Sequence, residues 1–128
     1  MIYTTYFAKL KKLPKDITPI AICAKPVPGF QGAVYRQLAP HYDFYSKYKI
    51  DGDTEYFTTC YNELVLKNLN SPRIVADLYT AAGKSYCDGD IALVCYEKSS
   101  DFCHRHLVAD WLRANGYQCE EFIEIKET

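Results

Sequence analysis

Two stretches of this chain are apolar at every consecutive position, and together they restrict its fold more than anything else in it. One is Ile20-Ala21-Ile22-Cys23-Ala24, introduced by Pro19 and closed by Lys25; the other is Ile91-Ala92-Leu93-Val94-Cys95. A strand with one wet face alternates apolar and polar residues. A strand that is apolar on both faces must be covered on both, as in a parallel sheet flanked by helices. The two runs therefore predict strands covered on both faces over residues 19–25 and 91–97, the second of them central.

The segments around them agree. Residues 2–7 are β-branched and aromatic and predict a first strand, followed by a lysine-rich turn that Pro14 ends. Residues 32–49 carry five aromatic side chains interrupted by Pro40 and predict short helical turns and loop. A helix is expected over residues 54–68, capped by Asp53, with Phe57, Tyr61, Leu64 and Val65 facing inward. The next is bounded by Ser71-Pro72 and Gly83, with Ile74, Val75, Leu78, Tyr79 and Ala82 as its buried face. A last helix over residues 102–114 is expected to be capped by Ser100 or Asp101, and residues 119–125 to form an edge strand with Glu120, Glu121 and Glu124 in water. Strands separated by helices imply parallel pairing through right-handed crossovers. The expected architecture is a single α/β domain over residues 1–128: a mostly parallel four-stranded sheet with helices on both faces, Rossmann-like and three-layered.

Composition narrows the function classes. A net charge of −1 excludes a general nucleic-acid binder, which needs a basic surface to displace counterions. No apolar run approaches the ~20 residues that span a bilayer, and Met1–Tyr6 lacks the pattern of a secretion signal. The expectation is a cytoplasmic protein whose six cysteines are reduced. There is no CxxC pair, and Cys103 and His104, adjacent on a helix, are expected to diverge. A zinc site would require Cys95, Cys103 and His104 or His106 to meet in space, and neither metal nor cofactor is expected.

In an open parallel sheet the loops at the carboxyl ends of the strands build the ligand crevice. Topology thus places Lys25 and the proline loop on one side, and Tyr96 and Glu97 on the other. The helix that follows favours an anion at its N-terminus. Arg105 stands in that first turn, where the dipole disfavours a cation; it is expected either to pair with Glu97 or Asp101 or to grip a bound anion. His104 faces the crevice and is the candidate, with Glu97, for acid/base chemistry, or else a structural histidine. His106, Asp110 and Arg113 fall on the outer face. Cys103 at the helix start is a candidate reactive thiol or a packed small residue. Tyr35, Tyr56 and Tyr96 are candidates for a stacking wall. A cysteine-phosphatase loop is excluded, because the residue six after Cys95 is Asp101. GxGxxG, GxxxxGK[ST] and GxSxG motifs do not occur. The expected ligand is a small anion of phosphate or nucleotide type, with a non-enzymatic interaction module as the alternative.

The run CYEKSSDFCHRHLVADWL, residues 95–112, resembles the signature of domain of unknown function 488, a family of bacterial and phage proteins. That signature is a strand ending in a Cys-x-Glu-Lys-like segment, a short loop, Cys-His-Arg and an amphipathic helix. Ile2-Tyr3-Thr4 and Lys25-Pro26-Val27-Pro28 fit the family's opening strand and first proline loop. The family's second strand often ends in Asp-x-Arg, where this chain has Cys23-Ala24-Lys25. A lysine thus stands in for the arginine, and the acid has no counterpart. The resemblance implies an α/β fold and places Glu97, Cys103, His104 and Arg105 within the family motif; it implies no activity.

Overall fold

A computed structural model describes residues 1–86, 88–98 and 100–123. Five strands, β1 (Ile2–Tyr6), β2 (Ile17–Ala21), β3 (Ala33–Val34), β4 (Asp90–Cys95) and β5 (Cys119–Glu121), form one sheet. Their spatial order is β3-β2-β4-β1-β5, and every neighbouring pair is parallel. Four α-helices among the described residues accompany them, besides short 3-10 turns: α1 (Tyr42–Asp51), α2 (Thr54–Leu64), α3 (Ser71–Ala82) and α4 (His104–Ala114). The fold is α/β, as the doubly apolar runs require.

β4 is the central strand. Ile91, Ala92, Leu93 and Val94 are all 0 % exposed although successive side chains point to opposite faces, so both faces of the strand are covered. The chain leaves β1 and returns as β2 with a gap of one strand, which β4 later fills. From β2 the chain moves outward to β3; from β4 it moves the other way, through α4 to β5. The connections therefore diverge between β2 and β4. Such a switch point leaves a crevice at the carboxyl ends of the two strands, because the connections that follow them run in opposite directions. α4 packs on β1, β4, β5 and α2, while α3 packs on β2.

Several boundaries differ from expectation for identifiable reasons. The expected sheet had four strands; the fifth, β3, has only two residues, too few for an alternating pattern. It pairs Ala33 with Ile20 and Val34 with Ala21. Gly32 allows the approach, since a side chain there would stand 2.7 Å from the Pro19 carbonyl oxygen. Residues 42–51 form a full ten-residue helix where short turns were expected. Only Phe44 on it is buried, so no apolar stripe announced it. Asn70, not Ser71, caps α3, accepting from the Arg73 backbone N–H at 3.0 Å. Neither Ser100 nor Asp101 caps α4; its N-cap is Cys103. β5 ends at Glu121, short of the expected residue 125: Phe122 and Ile123 are not in a strand, and residues 124 and 125 lie outside the described residues.

Candidate functional site

A cleft of about 390 Å³ opens at the switch point. Cys23, Ala24 and Lys25 follow β2 on one side; Tyr96 and Glu97 follow β4 on the other; Cys103 and His104 begin α4. Five of the residues singled out in the sequence, Lys25, Tyr96, Glu97, Cys103 and His104, thus line one cavity. Its further wall, Tyr42, Tyr45, Tyr48 and Lys49, comes from α1, with Phe57 from α2 and Phe102. Sequence reasoning missed this wall. The signal was present: Tyr42, Tyr45 and Lys49 recur at i, i+3 and i+7, one face of a helix.

The mouth of the cleft is polar and charged. Lys25 is exposed and enters no ion pair among the described residues. Lys49 Nζ lies 3.8 Å from Glu97 Oε1, an exposed pair that water and salt weaken. The Tyr96 hydroxyl donates to the Lys25 carbonyl and so ties the two strand ends together. The Tyr96 ring meets Phe7 edge-on at 4.9 Å.

Deeper in, His104 is buried and its Nε2–H donates to the Ile22 carbonyl at 2.8 Å. Burial holds its pKa down to about 4, against the opposing pull of the Ile22 hydrogen bond. The imidazole is therefore neutral near pH 7, with its proton on Nε2 and the Nδ1 lone pair free to accept. Nδ1 stands 3.8 Å from the Cys103 sulfur. The structure joins Cys103 and Cys95 as a disulfide, which corrects the expectation that all the thiols are reduced. In this form Cys103 offers no reactive thiol. Cys23, Cys60 and Cys119 are free, and burial pushes the Cys23 thiol up.

The expected divergence of Cys103 and His104 is also corrected. Cys103 is the N-cap, with φ −153° and ψ 147°, so its side chain does not follow the helical rotation that begins with His104. As a result the donor atoms of Cys95, Cys103 and His104 all lie within 4.8 Å of one another.

Arg105 lies elsewhere than the anion-binding reading placed it. It is fully buried, and its guanidinium is committed within the protein. Nε and Nη2 grip the Glu121 carboxylate at 3.0 and 2.7 Å, while Nη1 donates to the Glu97 carbonyl at 2.5 Å and to Cys95 Sγ at 3.2 Å. Of the two expectations, pairing holds, but the partner is Glu121 rather than the side chain of Glu97 or Asp101. Glu121, expected in water, also accepts from Thr4 Oγ1 at 2.6 Å. A cation in a helix's first turn opposes the dipole; a bidentate carboxylate and a carbonyl offset that cost. Tyr35 is likewise outside the cleft. Its hydroxyl donates to Asp77 at 2.9 Å, and burial, with that bond, pushes its pKa up to about 12. His106, expected on the outer face, is half-buried; its Nε2 has no hydrogen-bond partner among the described residues.

Fold and site together define a parallel α/β protein with a cysteine–histidine cluster under an aromatic cleft at the sheet's switch point. The family model DUF488-N3a, described as the Active DUF488-N3 subclade, matches residues 3–116. The chain belongs to this family. The match runs from β1 through α4 and stops short of β5, so Glu121, the partner of Arg105, lies beyond it. No curated protein and no solved structure matches the chain. No helix among the described residues is long and apolar enough to cross a membrane.

Proposed function

We propose that the protein binds a small ligand that combines a planar ring with an anionic group, of the nucleotide kind, in the cleft between β2 and β4. One observation carries this reading: the aromatic wall of Tyr45, Tyr48, Phe57 and Phe102 faces a mouth that bears the ammonium groups of Lys25 and Lys49. Aromatic rings offer a planar ligand stacking surface. Exposed lysines and the N-terminus of α4 supply positive potential at the same end. Arg105, fully engaged with Glu121, takes no part.

Glu97 is the only carboxylate among the described lining residues and is the candidate proton carrier at the mouth. His104, neutral near pH 7, is an acceptor at the floor through Nδ1.

Thermal unfolding of the reduced protein with adenosine 5′-monophosphate, adenosine, ribose 5-phosphate and inorganic phosphate tests the reading. The monophosphate is expected to raise Tm more than adenosine or phosphate alone. Lys25→Ala should reduce its effect toward that of adenosine, and Tyr48→Ala toward that of phosphate. No shift with any of the four would overturn the proposal.

A further inference from the structure

Beneath the cleft lies a cluster whose use does not depend on what the cleft binds. We infer that Cys95, Cys103 and His104 form a binding site for a thiophilic divalent cation of the zinc class, open when the two cysteines are reduced and closed when they join.

The donor set is two sulfurs and one imidazole nitrogen, all within 4.8 Å of one another. Three such ligands with a fourth position left open are a recurrent zinc arrangement. That position opens toward the cleft, which all three residues line. The surroundings hold each donor in its ligating form. A histidine that ligates through one ring nitrogen commonly donates its other N–H to a carbonyl or carboxylate, which fixes tautomer and ring orientation. His104 does this, giving Nε2–H to Ile22 at 2.8 Å and leaving the Nδ1 lone pair toward Cys103. On the sulfur side, Arg105 Nη1 donates to Cys95 Sγ at 3.2 Å, a charge-assisted bond that gains most when the sulfur is a thiolate.

The backbone spacing suits the open state better than the joined one. The Cα atoms of Cys95 and Cys103 stand 7.4 Å apart, beyond the roughly 4.4–6.8 Å usual for a disulfide. Two thiolates on one tetrahedral zinc stand about 3.8 Å apart, from Zn–S bonds of about 2.3 Å. Backbone set at this wider span suits sulfurs held apart across a metal. Conversion to the disulfide needs an oxidant, and a hydroperoxide supplies the stoichiometry. The two thiolates lose two electrons as the S–S bond forms. The peroxide O–O bond takes those electrons, with two protons, giving water and an alcohol (or two waters from hydrogen peroxide). The cation then leaves as the dication. With the metal bound, His104 Nδ1 is a ligand, and Glu97 remains the proton carrier.

The full chain, reduced with a phosphine and titrated with Co²⁺ in the absence of any nucleotide, tests this apart from the cleft reading. One Co²⁺ per chain is expected, with thiolate-to-cobalt charge transfer in the near ultraviolet and tetrahedral d–d bands that Zn²⁺ displaces. Cys95→Ser and Cys103→Ser should each weaken binding by at least the ~100-fold that outer-shell changes alone can reach. Cys60→Ser should bind as the parent does, and hydrogen peroxide should release the metal. In case a serine variant does not fold, alkylation of the parent followed by mass spectrometry gives a second reading, in which Zn²⁺ should shield Cys95 and Cys103 but not Cys60. Absence of the cobalt bands in folded, reduced protein would overturn the inference. So would bands that survive both serine changes, or Zn²⁺ that shields neither cysteine.

Discussion

At the scale of single residues, the position of one proton organises the cleft floor. His104 gives Nε2–H to Ile22 and keeps Nδ1 open, and it does so as a neutral ring because burial disfavours the imidazolium. The consequence for stability has a definite sign. In the unfolded chain this histidine titrates near 6.5, and in the folded one near 4. Between those values the unfolded state binds the extra proton, so stability is full above about pH 6.5 and falls as the pH drops toward 4. The shift corresponds to a loss on the order of 3 kcal/mol over that window. In metal-free protein, chelator present, urea unfolding at a series of pH values should show this slope, and His104→Gln should flatten it. An unchanged slope in the variant would assign the acid sensitivity to other groups.

Among the elements, α4 is held at both ends of its connection. Arg105 in its first turn reaches the carbonyl after β4 and the carboxylate of β5, binding a central strand, a helix and an edge strand through one guanidinium. At the other end Arg113 Nη1 donates to the Cys119 carbonyl at 2.6 Å, where β5 begins. The guanidinium of Arg105 is fully buried and Glu121 is mostly so. Arg105→Ala removes the countercharge of a mostly buried carboxylate and is expected to cost about 3–5 kcal/mol. Glu121→Gln, which keeps the shape but removes the charge, should cost less. Chemical denaturation of the two variants and the double variant measures the coupling; if it is near zero, the pair is not the clamp described. Because Arg105 also steadies the sulfur of Cys95, the same change loosens the floor of the cleft.

For the whole molecule, the position of the site follows from topology. β2 and β4 are neighbours whose chains depart in opposite directions, and the cleft lies at the carboxyl ends between them. Much of this was legible in the sequence. The apolar run 91–95 falls within β4; the run 20–24 marked the end of β2, which spans Ile17–Ala21 rather than the expected 19–25, so Ile22, Cys23 and Ala24 follow the strand and, with Lys25, lead into the crevice. What escaped depended on long-range contact. Arg105 finds Glu121 only because β5 lies beside β1, a pairing that local spacing does not encode. Cys103 meets His104 because the helix begins two residues later than its pattern suggested, leaving the cysteine extended. Tyr35 faces Asp77 rather than the cleft because β3 turns that segment toward α3. The aromatic wall was hidden in a helix with a single buried residue.

The central claim is that this cleft is where a planar anionic ligand sits. Backbone amide NMR of the reduced protein during titration with adenosine 5′-monophosphate tests it most directly. Saturable shifts are predicted at Ala24 and Lys25, at Tyr45 to Lys49, and at Tyr96 and Glu97, with Tyr35 and the far ends of α3 and α4 unmoved. Saturable shifts confined to any other surface, or none up to millimolar ligand, would contradict the account.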